Sequence, residues 1–488
     1  MGRSYGSGVG QRTKMGFLNS RLFIAAWLVL GCVSAVHAIL YKRDPKSAAI
    51  WVFFSFVFPL IGPWLYWVVG INRLERRAIR RRKKWFHRGL PAHSATLSDD
   101  HHSAIGHLQP LRTMTDRITR MPLVPGNLIE PLHNGEETYP AMLAAIKGAE
   151  RTVTLESYIF DCDDVGWKFV EAVRAAAARG VRVYVLIDGL GAVGSYSRMG
   201  RRLIQSGAKV AAFFPLRLPL GRMRINLRNH RKILVVDGVT GFTGGINISQ
   251  RHMLKSDVAD RVEDLHFQVA GPVVAEMQQA FVEDWLLATG ETLAGSDYFP
   301  PHGIEGPALA RGIIGGPDED FEKIHWMLLA VFAAATRSVR IATPYFVPTP
   351  ALIAGMIMAA LRGVDITLIL PSTSDIKFMP WVADAYLEQF LEHGVHVYRR
   401  PPPFVHSKLL IVDERWIWLG SANFDPRSFR LNFEFNIEAY DVDLASRLAK
   451  WMDGILERST EVTLASLRRR GPFRRFRDGL IKLFSPYL

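Results

Sequence analysis

The chain has 488 residues, a formal net charge of +14, 22% charged residues and a mean hydropathy of +0.08. This length exceeds a single ordinary hydrophobic core, so we expect two domains with additional segments. The two cysteines, Cys32 and Cys162, exclude a disulfide framework and a cysteine-ligated metal site. The apolar balance is unusual for a soluble protein and indicates membrane segments.

Two long uncharged runs lie near the N-terminus. Residues 22–40 form a 19-residue run, and residues 48–71 form a 24-residue run rich in Phe, Trp, Val and Ile. At about 1.5 Å per residue, each run could cross a hydrocarbon core of about 30 Å as a helix. We therefore predict an N-terminal membrane region, residues 1–72, with two transmembrane helices, because such helices tolerate Pro59 and Pro63. A cleaved signal peptide is the alternative for the first run.

Most of the positive charge lies beside the second run and at the C-terminus. Residues 1–72 carry seven Lys or Arg against Asp44, residues 73–88 carry nine against Glu75, and residues 468–488 carry seven against Asp478. The remaining residues, 89–467, therefore have a net charge of −6. A nucleic-acid enzyme carries its positive charge where it contacts phosphates, so we expect no nucleic-acid partner and favour anionic lipid. By the positive-inside rule, the basic cluster places the following residues in the cytoplasm.

Two segments flank the predicted globular part. Residues 73–122 are interpreted as a basic juxtamembrane segment followed by a linker with at most one short helix, since Gly, Ser, His, Asp and Pro recur without helical or strand periodicity. The linker histidines are expected to be solvated; they are His101, His102 and His107. Residues 467–488 mix Phe, Leu and Arg, which predicts a basic amphipathic tail at a membrane interface.

Between these segments the sequence repeats itself. RTVTLESYIF from Arg151 matches RSVRIATPYF from Arg337, and both alternate like strands. In each copy an Ala-rich helical pattern then leads through Arg-Gly into an apolar strand. We therefore predict an α/β fold of two homologous halves, residues 123–308 and 309–466, each a mixed β-sheet flanked by helices.

The last repeat carries the chemistry. HRKILVVDGVTGFTGGIN begins at His230 and HSKLLIVDERWIWLGSAN begins at His406, with Lys, Asp, Gly and Asn at the same offsets in both. Two imidazoles facing one pocket can divide phosphoryl transfer, because one attacks phosphorus and the other protonates the departing alkoxide. Neutral and protonated histidine are both available near neutral pH.

The other motif residues have expected roles as well. Lys232 and Lys408 would neutralise the non-bridging phosphate oxygens. The asparagines, Asn247 and Asn423, would add hydrogen-bond donors.

Asp237 and Asp413 complete the motifs, and we count them among the candidate catalytic residues. They also end apolar strands, where a carboxylate most often caps a turn, so turn stabilisation is favoured for them over direct chemistry. The sequence contains no HExxH, CxxC or carboxylate-rich cation loop, and therefore implies no metal and no cofactor.

The paired HxKxxxxD motifs resemble the phospholipase D superfamily. Most of the chain is similar to two-span bacterial cardiolipin synthases, through DPKSAAIWVFFSFVFPLIGPWLYWVVG, ESYIFDCDDVG, TPYFVP, GSANFDPRSFRLNFEFN and LFSPYL. This resemblance implies transfer of a phosphatidyl group from one phosphatidylglycerol to another through a phosphohistidine, giving cardiolipin and glycerol without a metal. It further implies anionic phospholipids as partners and a multi-pass protein of the bacterial inner membrane with a cytoplasmic catalytic domain.

Matching the superfamily pattern makes His230 the nucleophile and His406 the general acid. Asp264 and Glu434, 34 and 28 residues downstream of the two histidines, resemble the carboxylates that orient each imidazole. Ordinary surface ion pairing is the alternative for both. Gly245 departs from the commonest superfamily form, which has Ser, although cardiolipin synthases often share the change.

Other functions remain open from the sequence. SQRHML from Ser249 stands where the family tends to have an acidic and aromatic stretch, so the acceptor is not fixed. The alternatives are a phospholipase D-type hydrolase, including a nuclease, and a phosphatidyltransferase using another acceptor alcohol. A non-catalytic lipid-binding protein is disfavoured by intact His, Lys and Asn in both halves.

Overall fold

The computed structural model describes residues 9–42, 45–70, 103–119, 121–189, 196–214, 227–317 and 322–483. These residues belong to two compact units, a helical unit up to residue 70 and an α/β unit from residue 103 onward. The α-helices are α1 (Val9–Tyr41), α2 (Pro45–Val57), α3 (Ile61–Leu65), α4 (Gln109–Thr119), α5 (Asn134–Gly148), α6 (Asp164–Ala178), α7 (Tyr196–Gln205), α8 (Val273–Thr289), α9 (Lys323–Ala334), α10 (Pro350–Leu361), α11 (Met379–Leu391), α12 (Pro426–Arg430), α13 (Val442–Leu456), α14 (Leu464–Arg468) and α15 (Pro472–Lys482). The strands are β1 (Val124–His133), β2 (Thr152–Ser157), β3 (Arg182–Asp188), β4 (Lys209–Phe213), β5 (Ile233–Val236), β6 (Thr240–Gly244), β7 (Val262–Glu263), β8 (Leu265–Ala270), β9 (Ala308–Gly315), β10 (Ser338–Ala342), β11 (Asp365–Pro371), β12 (His396–Arg400), β13 (Phe404–Val405), β14 (Leu409–Val412), β15 (Trp416–Gly420), β16 (Glu434–Tyr440) and β17 (Thr460–Glu461).

The helical unit contains one helix long and apolar enough to cross a membrane, within the part of the chain that the structure describes. Its apolar part, Leu22–Tyr41, has 20 residues and a mean hydropathy of 2.2. This helix coincides with the first predicted span. Its contacts with the second apolar run include Trp67 Nε1, which donates to Ser34 Oγ at 3.0 Å. A polar contact of this kind satisfies groups that have no water partner in hydrocarbon.

The second apolar run does not form the single helix predicted over residues 48–71. The helix α2 stops at Val57, a turn follows, and the chain continues as α3 and a π-helical turn, Tyr66–Gly70. Pro59 has no amide hydrogen for a helical bond, and Leu60 adopts a φ of 62°, which turns the chain back. At Gly62 a Cβ would lie 1.9 Å from the carbonyl oxygen of Phe54, so only glycine permits this close approach.

The α/β unit is built on one mixed sheet of 15 strands. Their order is β17, β12, β11, β10, β14, β15, β16, β9, β1, β8, β6, β5, β2, β3, β4. In the first half β2, β3 and β4 are parallel, and in the second β10, β11 and β12 are parallel, whereas the other neighbours in this sheet pair antiparallel. This arrangement confirms the prediction of two halves with mixed sheets and flanking helices.

The two halves share backbone pairing and a core. Strand β1 of the first half pairs antiparallel with β9 of the second, so one sheet runs through both. A single cluster of buried apolar side chains includes Val269 and Met277 from the first half and Ile437 and Leu448 from the second. Because this core crosses the boundary, the halves are expected to fold as one cooperative unit.

The end of the predicted linker is a packed part of the second half. Ile105, Leu108 and Leu111 are fully buried in its core. The guanidinium of Arg311 binds Asp116 at 2.6 Å. The Arg311 side chain is fully buried, so solvent does not compete for its hydrogen bonds. The short helix allowed within the predicted linker is thus α4, and its tertiary contacts make residues 103–119 part of a packed core.

Candidate active site

The two motif histidines precede equivalent strands, His230 before β5 and His406 before β14. Each is held by backbone of the opposite half: the His230 amide donates to Phe433 O at 2.9 Å, and the His406 amide donates to Glu263 O at 2.8 Å. The short parallel pair β7 and β13 extends this exchange. The duplication therefore brings both histidines to the junction between the halves, as the motif spacing predicts.

Each imidazole is paired with a carboxylate from the other half. His230 Nδ1 lies 3.1 Å from Glu434 Oε2, and His406 Nδ1 lies 2.8 Å from Asp264 Oδ2. The prediction that these carboxylates orient the imidazoles fits this geometry. The first histidine, His230, is paired with the second carboxylate, Glu434, and the second histidine, His406, with the first carboxylate, Asp264. The sequence spacing does not assign the carboxylates to particular imidazoles, and the structure pairs each imidazole with the carboxylate of the opposite half.

The carboxylates fix which ring nitrogen can react. In a neutral imidazole whose Nδ1 carries the hydrogen toward a carboxylate, Nε2 keeps its lone pair. Burial lowers the pKa of His230, and the nearby Lys232 charge lowers it further, although Glu434 opposes both. Burial likewise opposes ionisation of Glu434, but His230 and Lys232 hold its pKa below the ordinary value. His230 is thus a neutral imidazole beside an ionised carboxylate.

His406 has a still more depressed pKa. Burial is the main cause, followed by the positive charge of Lys408, while Asp375 acts in the opposite direction. Without substrate both histidines are therefore neutral. An anionic phosphate placed beside His406 would raise its pKa, so substrate binding itself favours the protonated form that a general acid requires.

The motif lysines are buried close to the histidines. Lys232 Nζ donates to His230 O at 2.7 Å, and Lys408 Nζ donates to His406 O at 2.5 Å. Burial lowers the pKa of Lys232 to about 7 and that of Lys408 to about 8, and the Lys408 charge adds to the effect at Lys232. Two cations with little solvent around them form a site that an anionic phosphate would stabilise.

The two asparagines differ in their surroundings. Asn247 Oδ1 accepts from the amide of Ile159 at 3.2 Å. Asn423 Oδ1 is buried and has no hydrogen-bond partner among the residues that the structure describes. Both residues are buried, at most 6% exposed, so polar atoms there have little access to bulk solvent.

Gly245 and Ser421 occupy equivalent positions and explain one departure from the usual motif. Ser421 Oγ donates to Glu434 Oε2 at 2.5 Å. At Gly245 a Cβ would lie 2.4 Å from both carboxylate oxygens of Asp264, so a serine would displace this carboxylate. The two imidazoles therefore have carboxylates with different hydrogen-bond partners.

The sequence interpretation missed two tyrosines and one histidine near the motif histidines. Tyr158 lies edge-on to His230 with ring centroids 5.2 Å apart, and Tyr345 lies edge-on to His406 at 6.2 Å. The signal was present, since both tyrosines lie in the repeated segment, ESYIF in the first copy and ATPYF in the second, one position out of register with each other. His252, 6.5 Å from the His406 ring, has its pKa lowered to about 3 by burial and is neutral. It belongs to the unusual SQRHML stretch.

Asp237 and Asp413 stabilise turns, and the structure does not support the catalytic assignment. Each has a positive φ, 53° and 51° respectively, and each carboxylate accepts from three successive backbone amides that begin a neighbouring strand. His107 Nε2 also lies 2.6 Å from Asp413 Oδ2, so the expectation that His107 is only solvated is wrong. His101 and His102 lie outside the described residues.

Asp237→Asn is expected to lower stability by about 1–3 kcal/mol, because backbone amides at the start of β2 lose carboxylate acceptors. Asparagine tolerates the left-handed backbone, so the substitution isolates the hydrogen bonds. Thermal unfolding should show the loss, while activity per folded molecule stays near that of the parent. The exposed Asp257→Asn serves as control. Full stability with lost activity would instead make Asp237 catalytic.

The described residues contain no group of three or more His, Cys, Asp or Glu side chains that could hold a metal ion. The predicted absence of a metal remains a prediction, and chelation of the purified enzyme by EDTA tests it.

Known proteins share this duplicated architecture. A family profile described as cardiolipin synthase, PLD-like domain, matches residues 142–285 and 328–456, and a phospholipase D-nuclease N-terminal profile matches residues 23–70. The chain belongs to the cardiolipin synthase family of the phospholipase D superfamily. Members of this family are similar to the chain over nearly its whole length, so the likeness extends beyond the motifs.

Three curated relatives and one solved structure illustrate the likeness. Cardiolipin synthase 2 of Bacillus anthracis is 31% identical over 96% of this chain and 91% of its own length. The cardiolipin synthase of Geobacillus kaustophilus is 31% identical over 97% and 96%, and cardiolipin synthase A of Pseudomonas fluorescens is 32% identical over 96% and 98%. The crystal structure of phosphatidylserine synthase from Haemophilus influenzae matches with a TM-score of 0.63 and 16% identity, covering 78% of this chain and 100% of that chain. At this identity the last match shows the fold.

Proposed function

We propose that the protein transfers a phosphatidyl group from one phosphatidylglycerol to a hydroxyl of a second, which yields cardiolipin and glycerol. One observation carries this proposal: two neutral imidazoles, each paired with a carboxylate of the opposite half, lie with two buried lysines at one junction. The names of the full-length relatives support the same reaction. The negative charge of the phosphodiester substrate would balance the positive charges of the two lysines.

The geometry supports a two-step exchange at phosphorus. In the first step His230 Nε2 forms a bond to phosphorus, the bond between phosphorus and the glycerol oxygen breaks, and His406 gives this oxygen a proton. In the second step the hydroxyl of another phosphatidylglycerol attacks phosphorus, the bond to His230 breaks, and His406 takes the hydroxyl proton. Lys232 and Lys408 neutralise the non-bridging oxygens in both steps.

The pH dependence follows from the proton requirement of the empty site. A productive complex needs one of the two histidines as imidazolium and both lysines as ammonium. Burial lowers the pKa of all four groups, to about 7 for Lys232 and about 8 for Lys408. Raising the pH therefore removes required positive charge, and kcat/KM should fall at least about tenfold between pH 6.5 and 9. Initial rates in mixed micelles at fixed surface concentration test this. A constant kcat/KM up to pH 9 would contradict it.

We further propose that the helical unit anchors the enzyme in the bacterial inner membrane. The helix α1 is long enough to cross, and the broken second apolar segment is proposed to lie in the bilayer with it. The basic cluster at residues 73–88 supports a cytoplasmic catalytic unit. A cysteine introduced at exposed Lys147 should react with a membrane-impermeant thiol reagent only after cells are opened.

Product analysis tests the function directly. Purified enzyme in vesicles of defined phosphatidylglycerol should form cardiolipin and glycerol in equal amounts, with phosphatidic acid as a minor product, measured by mass spectrometry. Excess glycerol should drive the reaction backward, because one phosphodiester is exchanged for another with little net driving force. Dominant phosphatidic acid and indifference to glycerol would identify a hydrolase instead. Products with another alcohol in preference to phosphatidylglycerol would identify a different acceptor.

A further inference from the structure

The C-terminal helix α15 exposes an apolar stripe. Phe473 is 89% exposed, Phe476 71% and Leu480 48%, and Leu483 directly after the helix is 71% exposed. Their spacing of three, four and three residues places these side chains on one helical face. Large apolar side chains that are exposed together in this way mark a contact surface rather than ordinary surface variation.

The opposite face of α15 packs on the helix α11 of the same α/β unit. The Arg477 guanidinium lies 4.0 Å from the ring centroid of Trp381, and Lys482 Nζ lies 4.3 Å from that of Tyr386. Asp478 is 4% exposed and lies within 3.5 Å of Arg470. The helix is thus held on α11 through its polar and cationic face, and this docking turns the apolar face outward.

The charge around the stripe is positive. Residues 468–482 contain seven Arg or Lys and one acid, Asp478. Three acids in or directly after α11 are ion-paired with this segment; they are Asp384, Glu388 and Glu392. Seven cations against four acids leave a surplus of positive charge beside the apolar side chains. This combination fits an anionic bilayer surface, where headgroups contact the cations and acyl chains receive the stripe.

We propose that α15 lies in the headgroup region of an anionic bilayer, with Phe473, Phe476 and Leu480 inserted toward the acyl chains. A second copy of the chain is less well matched, because two such surfaces would bring like charges together. The bilayer also holds the lipids that members of this family use.

This contact would lie close to a loop that reaches the His406 side of the active site. The helix α15 packs on α11, which begins directly after the exposed loop residues Ile376 and Phe378. In the same loop Asp375 accepts from Tyr345 at 2.6 Å, and the Tyr345 ring lies beside His406. A bilayer that contacts α15 would therefore be separated from His406, the general acid of the proposed reaction, only by α11 and the loop before it.

Depth-dependent fluorescence quenching tests the insertion without reference to catalysis. The full chain, with Cys32→Ala and Cys162→Ser, receives a cysteine at Phe476 labelled with a small fluorophore, and is reconstituted in phosphatidylglycerol-containing vesicles. Lipids brominated on the acyl chains should quench this probe about twofold. The same label at exposed Arg174 on α6 is the control and should not respond. An unquenched probe at 476 would overturn the proposal, and 476-to-476 crosslinking without quenching would indicate a second copy.

Activity provides a second readout. Phe473→Ser with Phe476→Ser should lower the rate on bilayer phosphatidylglycerol at least about fivefold, while the rate on monomeric short-chain phosphatidylglycerol and the thermal stability stay unchanged. Ile304→Ser, a substitution at an 87% exposed apolar residue of another loop, is the matched control. Equal losses on both substrates would show a folding or catalytic defect and contradict the proposal. The quenching result is independent of which reaction the enzyme catalyses.

Discussion

His230→Ala and His406→Ala are each expected to lose at least about 10³-fold in kcat for cardiolipin formation. In the proposed reaction His230 bonds to phosphorus and His406 protonates the departing glycerol, so neither can compensate for the other. Mass spectrometry of products from phosphatidylglycerol vesicles gives the measurement, with thermal unfolding to confirm the fold. His396→Ala replaces a half-exposed histidine on β12 and should retain activity. Activity above a few per cent in either motif variant would refute the shared site.

The same variants assign the two roles. When the acid is missing, an activated phosphatidyl donor should leave a phosphatidyl group on His230, because glycerol protonation is not needed to form it. Peptide mapping of the trapped enzyme should place the modification on His230 in His406→Ala. Modification of His406 in His230→Ala would reverse the assignment.

The second large effect concerns the exchanged carboxylates. Glu434→Gln and Asp264→Asn should each reduce transfer from phosphatidylglycerol by about 10²–10⁴-fold, since each leaves an imidazole without its orienting partner. With a p-nitrophenyl ester of phosphatidic acid, whose leaving group needs no proton, Asp264→Asn should regain the initial burst of p-nitrophenol. Glu434→Gln should not, because its partner is the nucleophile His230. If the carboxylates served the histidine of their own half, the burst would return in Glu434→Gln instead.

Much of the site was predictable because it is duplicated. Equal spacing identified His230, His406 and their lysines, since independent sequence drift would not keep five positions in register. The residues of the carboxylate pair were also predictable, but their partners were not. Pairing depends on β7 meeting β13, a contact between residues more than a hundred positions apart, and local sequence carries no record of it.

Local sequence was misleading where tertiary contacts decide the structure. The segment before residue 120 looked like a linker, yet the fully buried Arg311 stabilises α4 by pairing with Asp116. In the second apolar run a continuous helix was predicted across Pro59, because membrane helices tolerate proline. The structure instead has a turn at Pro59 and Leu60. Asp413 was counted among the catalytic candidates because of its motif, whereas its carboxylate accepts from backbone amides at the start of β10.

The exchange of carboxylates also bears on how the enzyme is made. A ribosome releases the first half before the second, and His230 then exists without Glu434, which is about two hundred residues downstream. Such a nascent chain holds a histidine but no means to orient it. If His230 is the nucleophile, as proposed, a chain synthesised beside membrane lipids would not attack them until β16, which carries Glu434, has entered the sheet.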